Sequence, residues 1–356
     1  MNYSLLDKLT IIIFTYNRHK FLKRTIKYWS NYNIKLVILD GSDTKLEDLY
    51  LKQQNIKYIH NTNGLYERLL SSINYIDTEF MILGTDDEFY LPSALSSCVK
   101  FLSKDISFSS CGGRAIGFGF DYKRKLFGKE AYSKLKNLSL DQDSASKRIY
   151  NHFSNYVPAH FYSVIRFEKW KKICSYVFQK RYNFGAAHEL QLEFLVLVAG
   201  KSKIISELMW MRNNEKEAVH INSDMVKTGI QDWWFNKNFY NEKIDFLHQM
   251  SLACKELLLD KNFNLYEHEI SELFQVYINQ ILKRKFSKKS FFGNLINFVP
   301  LKIKKFKKKL IEDYKFKNDK YRKLEDEINL LEAEGVVVNH NELNRIISIL
   351  IDTNRE

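Results

Sequence analysis

The first hundred residues alternate between short, wholly apolar runs and stretches in which apolar residues recur at helical spacing. Leu9–Thr15 (LTIIIFT) is isoleucine-rich, too short for a helix of its own, and predicts a buried strand. Lys20–Ser30 comes next, with helical spacing at Phe21, Leu22, Ile26 and Trp29. The alternation continues with a strand at Ile34–Leu39, a helix at Lys45–Gln54, a strand at Ile56–Ile59, a helix at Leu65–Ile76 and a strand at Phe80–Leu83. Strands separated by helices of this length need crossover connections, so the pattern predicts an α/β fold with a mostly parallel sheet. No internal repeat at a fixed period is visible.

The middle third is mixed. Ile106–Phe120 predicts a strand running into a glycine-rich stretch, Ala159–Ile165 a strand, and Phe167–Phe178 a helix. The loop Arg181–Ala187, a helix from about His188 to Val198, and a strand near Lys203–Met209 complete it. From Gln231 onward the pattern is helical and aromatic-rich, which places a boundary near residue 230 between an α/β part (1–230) and a helical part (231–356).

The polar residues at the end of each early strand carry the chemistry. The first strand runs into Thr15-Tyr16-Asn17-Arg18, the second into Asp40-Gly41-Ser42-Asp43, the third into Asn61-Thr62-Asn63-Gly64, and the fourth into Thr85-Asp86-Asp87-Glu88. Ligands of open parallel sheets bind beyond the carboxyl ends of the strands, so these four polar ends sketch one rim. Adjacent carboxylates after a buried strand repel one another unless a cation or solvent compensates. Asp86 and Asp87 suit a hard divalent cation, Mn²⁺ or Mg²⁺, with positions open for phosphate oxygens.

Composition narrows the class. With 45% hydrophobic and 15% aromatic residues in 356, the chain can bury a sizeable core. It has no apolar run of the ~18–20 residues that a membrane span needs, and no basic-then-apolar leader is expected. Cys98, Cys111, Cys174 and Cys254 lie far apart, which fits a reducing, cytoplasmic setting better than a disulfide framework. The net charge of +13 is local: Leu282–Lys323 holds 16 Lys+Arg and 3 Asp+Glu, and the rest is neutral. Within it, Phe291–Leu310 (FFGNLINFVPLKIKKFKKKL) joins an apolar cluster to lysines, a composition that suits an anionic membrane surface. A lysine-rich face packed on its own domain is the bland alternative. No recognised nucleic-acid motif accompanies the charge, so nucleic acid is not the expected partner. Beyond it, Leu324, Ile328 and Leu331, then Leu343, Ile346, Ile347 and Leu350, predict two amphipathic helices around Gly335, supporting a homo-oligomer or packing back on the body.

The ordered set Thr15-Tyr16-Asn17-Arg18, Asp40-Gly41-Ser42, Asn63-Gly64 and Thr85-Asp86-Asp87 resembles a family 2-type bacterial glycosyltransferase of the GT-A fold, well over residues 8–100 and less so to about 215. The resemblance implies a nucleoside pocket lined by Thr15 and Tyr16, and Asp40 on the base or ribose. It implies Asp86 on ribose or sugar hydroxyls and Asp87 as the main metal ligand of a DxD-type motif. Asn17, Arg18, Gly41 and Asn63 belong to the same donor-binding set, and Arg68, on the following helix, faces either the diphosphate or solvent. Leu39 stands where family members often carry a second acid, which leaves the nucleotide open. A general base is expected at a helix start after a glycine-containing loop. Phe184-Gly185-Ala186-Ala187-His188-Glu189 holds that place, with Glu189 the best match and Glu193 and His188 as rivals. Arg212 is a candidate diphosphate contact, His220 a candidate extra metal ligand, and the polar stretch Asn214–Gly229 a candidate closing loop.

The expectation is thus a metal-dependent, inverting transfer from a nucleotide-sugar donor, UDP-type favoured, to a glycan or lipid-linked acceptor of a bacterial surface polymer such as capsule, lipopolysaccharide or teichoic-type polymer. The enzyme would lie at the inner face of the plasma membrane through residues 282–323. Its rivals are a same-fold transferase with a cytidine nucleotide donor, and a non-enzymatic basic scaffold.

Overall fold

A computed structural model describes residues 5–121, 124–158, 160–215, 229–258, 265–288 and 321–355. Isoleucine-rich β1 (Leu9–Thr15) is buried on both faces and leads into α1 (His19–Trp29), β2 (Lys35–Asp40) and β3 (Ile56–His60). Next come α2 (Leu65–Ser71), β4 (Phe80–Thr85), the short β5 (Phe89–Tyr90) and α3 (Pro92–Lys104), which starts on proline, a residue suited to a first helical turn. The centre holds β6 (Phe108–Phe120), β7 (Leu126–Ala131), β8 (Ser139–Leu140), α4 (Ala145–Ser154) and β9 (Val164–Arg166). It continues through α5 (Phe167–Val177), α6 (Ala187–Ala199) and β10 (Lys201–Asn213). Helices α7 (Ile230–Phe235), α8 (Tyr240–Leu257) and α9 (Glu267–Lys288) come next, then β11 (Arg322–Lys323), α10 (Leu324–Ala333) and α11 (His340–Arg355).

The strands form one sheet in the order β11-β7-β6-β9-β4-β1-β2-β3, with β10 joined to β6 and carrying β5 and β8. Parallel pairing links β1 to β2 and β4, β2 to β3, and β6 to β10. Side chains alternate across the sheet, so Ile11, Ile13, Leu36, Ile38, Phe80 and Ile82 enter one core, and Ile12, Val37, Leu39, Met81 and Leu83 the other. The parallel register sets Thr15 beside Asp40 and Phe14 beside Thr85. The carboxyl ends of β1, β2 and β4 are therefore level, and this alignment builds the site.

Four expectations change. Instead of a helix over Lys45–Gln54 there is only a 3-10 turn at Leu49–Lys52, because the Tyr58 hydroxyl takes up the Leu46 N–H (2.9 Å). The strand expected at Ala159–Ile165 shrinks to β9, since the N–H groups of His160 and Phe161 donate to Glu193 Oε1 (2.9 and 2.8 Å) instead of to a neighbouring strand. The glycines after Ile106 do not break β6. A Cβ on Gly113 would lie 2.5 Å from Met209 Cβ, so glycine lets β10 approach closely. Helix α4 was not foreseen.

The C-terminal helices divide between the two faces of the sheet. Helices α8 and α9 pack on α4, α5 and α6, while α10 packs on β7 and α11 on α1. Strand β11 pairs with β7, and the Glu342 carboxylate accepts from the Ser93 N–H (3.0 Å) and hydroxyl (2.8 Å) at the start of α3. Ile346 and Leu350 are fully buried there, each burial worth roughly 1.5–3 kcal/mol. Of the two roles left open for these helices, packing back on the body is the one observed. Most of the basic stretch 282–323 lies outside the described residues, as does His220. Among the described residues, no helix is long and apolar enough to cross a membrane.

Candidate functional site

The loop after β1 is locked to the loop after β2. Asn17 sits at φ +53°, in the left-handed region that asparagine tolerates. Its N–H donates to Ser42 Oγ (2.8 Å), its Nδ2 to Asp43 (2.8 Å), and its Oδ1 accepts from the Asp43 N–H (3.0 Å). Tyr16 beside it is 41% exposed, and its ring is free to meet a ligand. Asp40 is fully buried and accepts from the Ser42 N–H (2.8 Å) and the Tyr58 hydroxyl (2.6 Å), with His19 Nε2 at 3.1 Å. Burial works to raise this carboxyl, but those hydrogen bonds outweigh it and hold it below its ordinary value.

Arg68 is neither a solvated helix residue nor turned towards the rim. Its guanidinium is buried and donates to the carbonyls of Thr15 (3.0 Å), Leu39 (2.7 Å) and Asn63 (3.1 Å), bolting together three strand ends. It lies flat on Gly41, where any Cβ would collide with the guanidinium carbon. Asn63 itself is exposed.

Asp86 and Asp87 are both nearly buried, at 1% and 5% exposure. Arg18 bridges them, with Nη1 3.1 Å from Asp86 and Nη2 2.5 Å from Asp87. Thr15 donates to Asp86 (2.6 Å), and Thr85 (2.8 Å) and Asn213 (3.3 Å) donate to Asp87. Burial pushes the Asp86 carboxyl up to about 7, against the pull of Arg18 and with the help of Asp87. Behind the pair, Arg24 and Thr25 hold the Asp87 and Asp86 carbonyls (3.2 and 2.7 Å). Two adjacent carboxylates facing one guanidinium make a donor set that fits a hard divalent cation, and Arg18 stands in for its charge.

Glu88 completes the acidic run but turns inward, accepting from the Trp210 indole N–H (2.9 Å). Burial, then the Asp87 charge, push it up to about 8. Around Trp210 stack Tyr162 (4.1 Å between centroids) and Tyr132 (5.5 Å), and the Arg212 guanidinium lies over Tyr132 (5.2 Å). Arg212 also lowers the carboxyls of both Glu88 and Glu189, so it lies within electrostatic reach of both.

Every residue of α6 is buried except Glu189, in its first turn. Glu189 accepts from the Tyr156 hydroxyl (2.6 Å). Burial raises its carboxyl above the ordinary value, and the nearby Glu193 adds to the rise. The two rivals are engaged elsewhere: His188 is buried, stacked on Tyr66 (3.8 Å) with Nε2 2.7 Å from the Lys180 carbonyl, and Glu193 holds the 160–161 backbone.

Several of these residues escaped the sequence. Glu88 read only as one more polar residue of the rim, with no role of its own. Tyr58, His19, Arg24 and Asn213 reach Asp40 or Asp87 across 18 to 126 positions of chain and lie in no local motif. Tyr156 lay in a segment without readable periodicity.

Residues 10–172 match the family described as Glycosyl transferase family 2. Among curated proteins no match is found. Solved structures similar to this chain include S. aureus TarS 1-349, at 12% identity and a TM-score of 0.49, covering 83% of this chain and 77% of that one. The same fragment in complex with UDP-GlcNAc gives 14% identity, a TM-score of 0.49 and the same coverage. S. aureus TarS gives 12% identity and a TM-score of 0.47, covering 83% of this chain and 46% of that one.

Proposed function

We propose, since this chain is a glycosyltransferase whose residues 10–172 belong to family 2, that it moves a sugar from a nucleoside diphosphate donor, of the UDP type, to a hydroxyl of a surface-glycan or lipid-linked acceptor. The observation that carries the reading is the presence of the cation-competent Asp86 and Asp87 together with the partly exposed carboxylate of α6, Glu189, with Arg212 in electrostatic reach of the latter and of Glu88.

In this reading Tyr16 stacks on the base, Thr15 lines the nucleoside pocket and Asp40 fixes the floor on which both stand. Asp87, with Asp86, would hold Mn²⁺ or Mg²⁺, whose charge stabilises the departing diphosphate. Arg18, released from the carboxylates, and Arg212 add positive charge on the diphosphate side. Glu189 takes the proton from the acceptor hydroxyl through its carboxylate, with Tyr156 orienting it. The acceptor oxygen bonds to the anomeric carbon as the carbon–phosphate-oxygen bond breaks. The electron pair leaves on the nucleoside diphosphate, and attack from the opposite face inverts the centre. The partly exposed rings of Tyr132 and Tyr162, stacked on the buried Trp210, offer a face on which a sugar ring can rest.

A donor-hydrolysis screen over nucleotide sugars with and without divalent metals tests this, with Asp87→Ala as control. Turnover of one donor, metal-stimulated and lost in the control, supports it; equal turnover in the control sinks the metal assignment. A cytidine donor turned over in preference to the uridine donors overturns the UDP assignment. Residues 282–323 are proposed to hold the enzyme at an anionic membrane. Their deletion should abolish sedimentation with phosphatidylglycerol-containing vesicles while donor hydrolysis persists; undiminished binding would assign the charge another purpose.

A further inference from the structure

Away from the acidic pair, three residues from separate parts of the chain converge in the interior: His152 in α4, His160 in the segment before β9, and Glu193 in α6. They are 2%, 0% and 0% exposed, and one ligand-type atom from each lies within 4.8 Å of the other two. His152 Nε2 is 2.9 Å from Glu193 Oε2, and the imidazole centroids are 4.8 Å apart. Both imidazoles are buried; His152 Nδ1 and His160 Nε2 have no hydrogen-bond partner among the described residues, and His152 Nε2 faces the Glu193 carboxylate without a well-aligned hydrogen bond. Leaving such groups unsatisfied costs about 1–3 kcal/mol each, and a protein interior rarely tolerates several together.

The surroundings orient two of the three, His160 and Glu193. His160 Nδ1 is 2.9 Å from Ser202 Oγ, which also accepts from the Ser110 hydroxyl (2.8 Å). An Nδ1–H donated to Ser202 leaves the Nε2 lone pair pointing to the centre of the cluster. The other oxygen of Glu193 is fixed by the N–H groups of His160 and Phe161. Hydrogen bonds of this kind, here behind His160 and Glu193, are what orient the ligands of a metal. The set itself, two neutral nitrogens and one carboxylate oxygen, is the zinc type and not the all-oxygen type of magnesium or calcium.

We propose that His152, His160 and Glu193 form a buried zinc site separate from the Asp86–Asp87 pair. Zinc there would give one nitrogen of each imidazole a metal–ligand bond and would tie α4 to α6 and to His160 ahead of β9. Its place gives it a positioning role. Tyr156 lies four residues after His152, and Glu189 lies one helical turn before Glu193. Both ends of the Tyr156–Glu189 hydrogen bond are therefore mounted on zinc ligands, whatever chemistry Glu189 performs.

Elemental analysis of the full chain, purified without affinity histidines or chelators, should find one zinc per chain. Asp87→Ala should retain it, while His152→Gln and Glu193→Gln should lose it. Should the variants fail to fold, the wild-type chain still decides. Prolonged treatment with a chelator should lower its Tm, with recovery on adding Zn²⁺, and Co²⁺ taken up in place of zinc should give the strong visible bands of a four-coordinate site. A wild-type chain that neither contains nor takes up zinc or cobalt overturns the site. So does zinc that leaves in Asp87→Ala but stays in Glu193→Gln.

Discussion

The two halves of the site are built in opposite ways. On the side of β1, β2 and α2, the polar groups answer one another: Asp40 is buried among three donors, Asn17 clamps two loops, and Arg68 spends its guanidinium on three carbonyls. On the side of β10 and α6, carboxyls are held above their ordinary values, Glu88 up to about 8 and Glu189 in the same direction, beside aromatic rings and Arg212. The first half is a finished cradle that gains little from further contacts. The second stores the electrostatic cost of burial in groups that can exchange protons, as proton-transfer sites require. The acidic pair stands between them, nearly buried and bridged by a single arginine.

This contrast can be challenged at several points. Asp87→Ala removes one of the two carboxylates proposed to hold the metal and should lower transfer by about 10³-fold, measured as donor turnover with saturating Mn²⁺. Activity within tenfold of wild type would mean that Arg18, not a metal, supplies the charge. Glu189→Gln should cost about 10²- to 10⁴-fold in transfer, with donor affinity by calorimetry nearly unchanged. A parallel loss of donor binding would move Glu189 into the first half. Arg68→Met should act on folding instead, costing about 3 kcal/mol through three orphaned buried carbonyls, read as a lower denaturation midpoint. Lysine should not rescue it, because a single ammonium cannot reproduce the planar fork.

The smallest effect concerns pH. A base must be ionised, so transfer should fall as pH drops through the raised Glu189 value, giving an acid limb above the ordinary glutamate range. The Tyr156 hydrogen bond pulls that value down. Tyr156→Phe should therefore shift the acid limb to higher pH, and an unmoved limb would assign it to another group.

Legibility divided along the same line. Each polar strand end consists of consecutive residues, so the rim at Thr15, Asp40, Asn63 and Asp86 could be read directly, and the parallel sheet was implied by strand spacing. Hidden were the contacts that join segments distant in the chain. Arg18 reaches Asp87 across 69 positions, and Asn213 reaches it across 126. Arg68 was legible as a residue but not as a bolt, since nothing local shows that three carbonyls converge on it. At Lys45–Gln54 helical spacing misled, with Leu49 79% exposed instead of facing the core. The cluster around His160 escaped because a side chain, Glu193, replaces the strand partner that local pattern implies.

The covering of β7 by β11 and α10, and of α1 and the start of α3 by α11, has a consequence for how the chain is made. Until residues 322–350 emerge from the ribosome, the nascent sheet has an open edge at β7, and the start of α3 lacks the Glu342 cap, 249 positions away. Unpaired strand edges are sites of aggregation, and pairing across such separations is slow. The last helices thus serve as a late closure of the sheet. A nascent chain halted before residue 322 should depend on a holdase to stay dispersed, whereas a completed one should not.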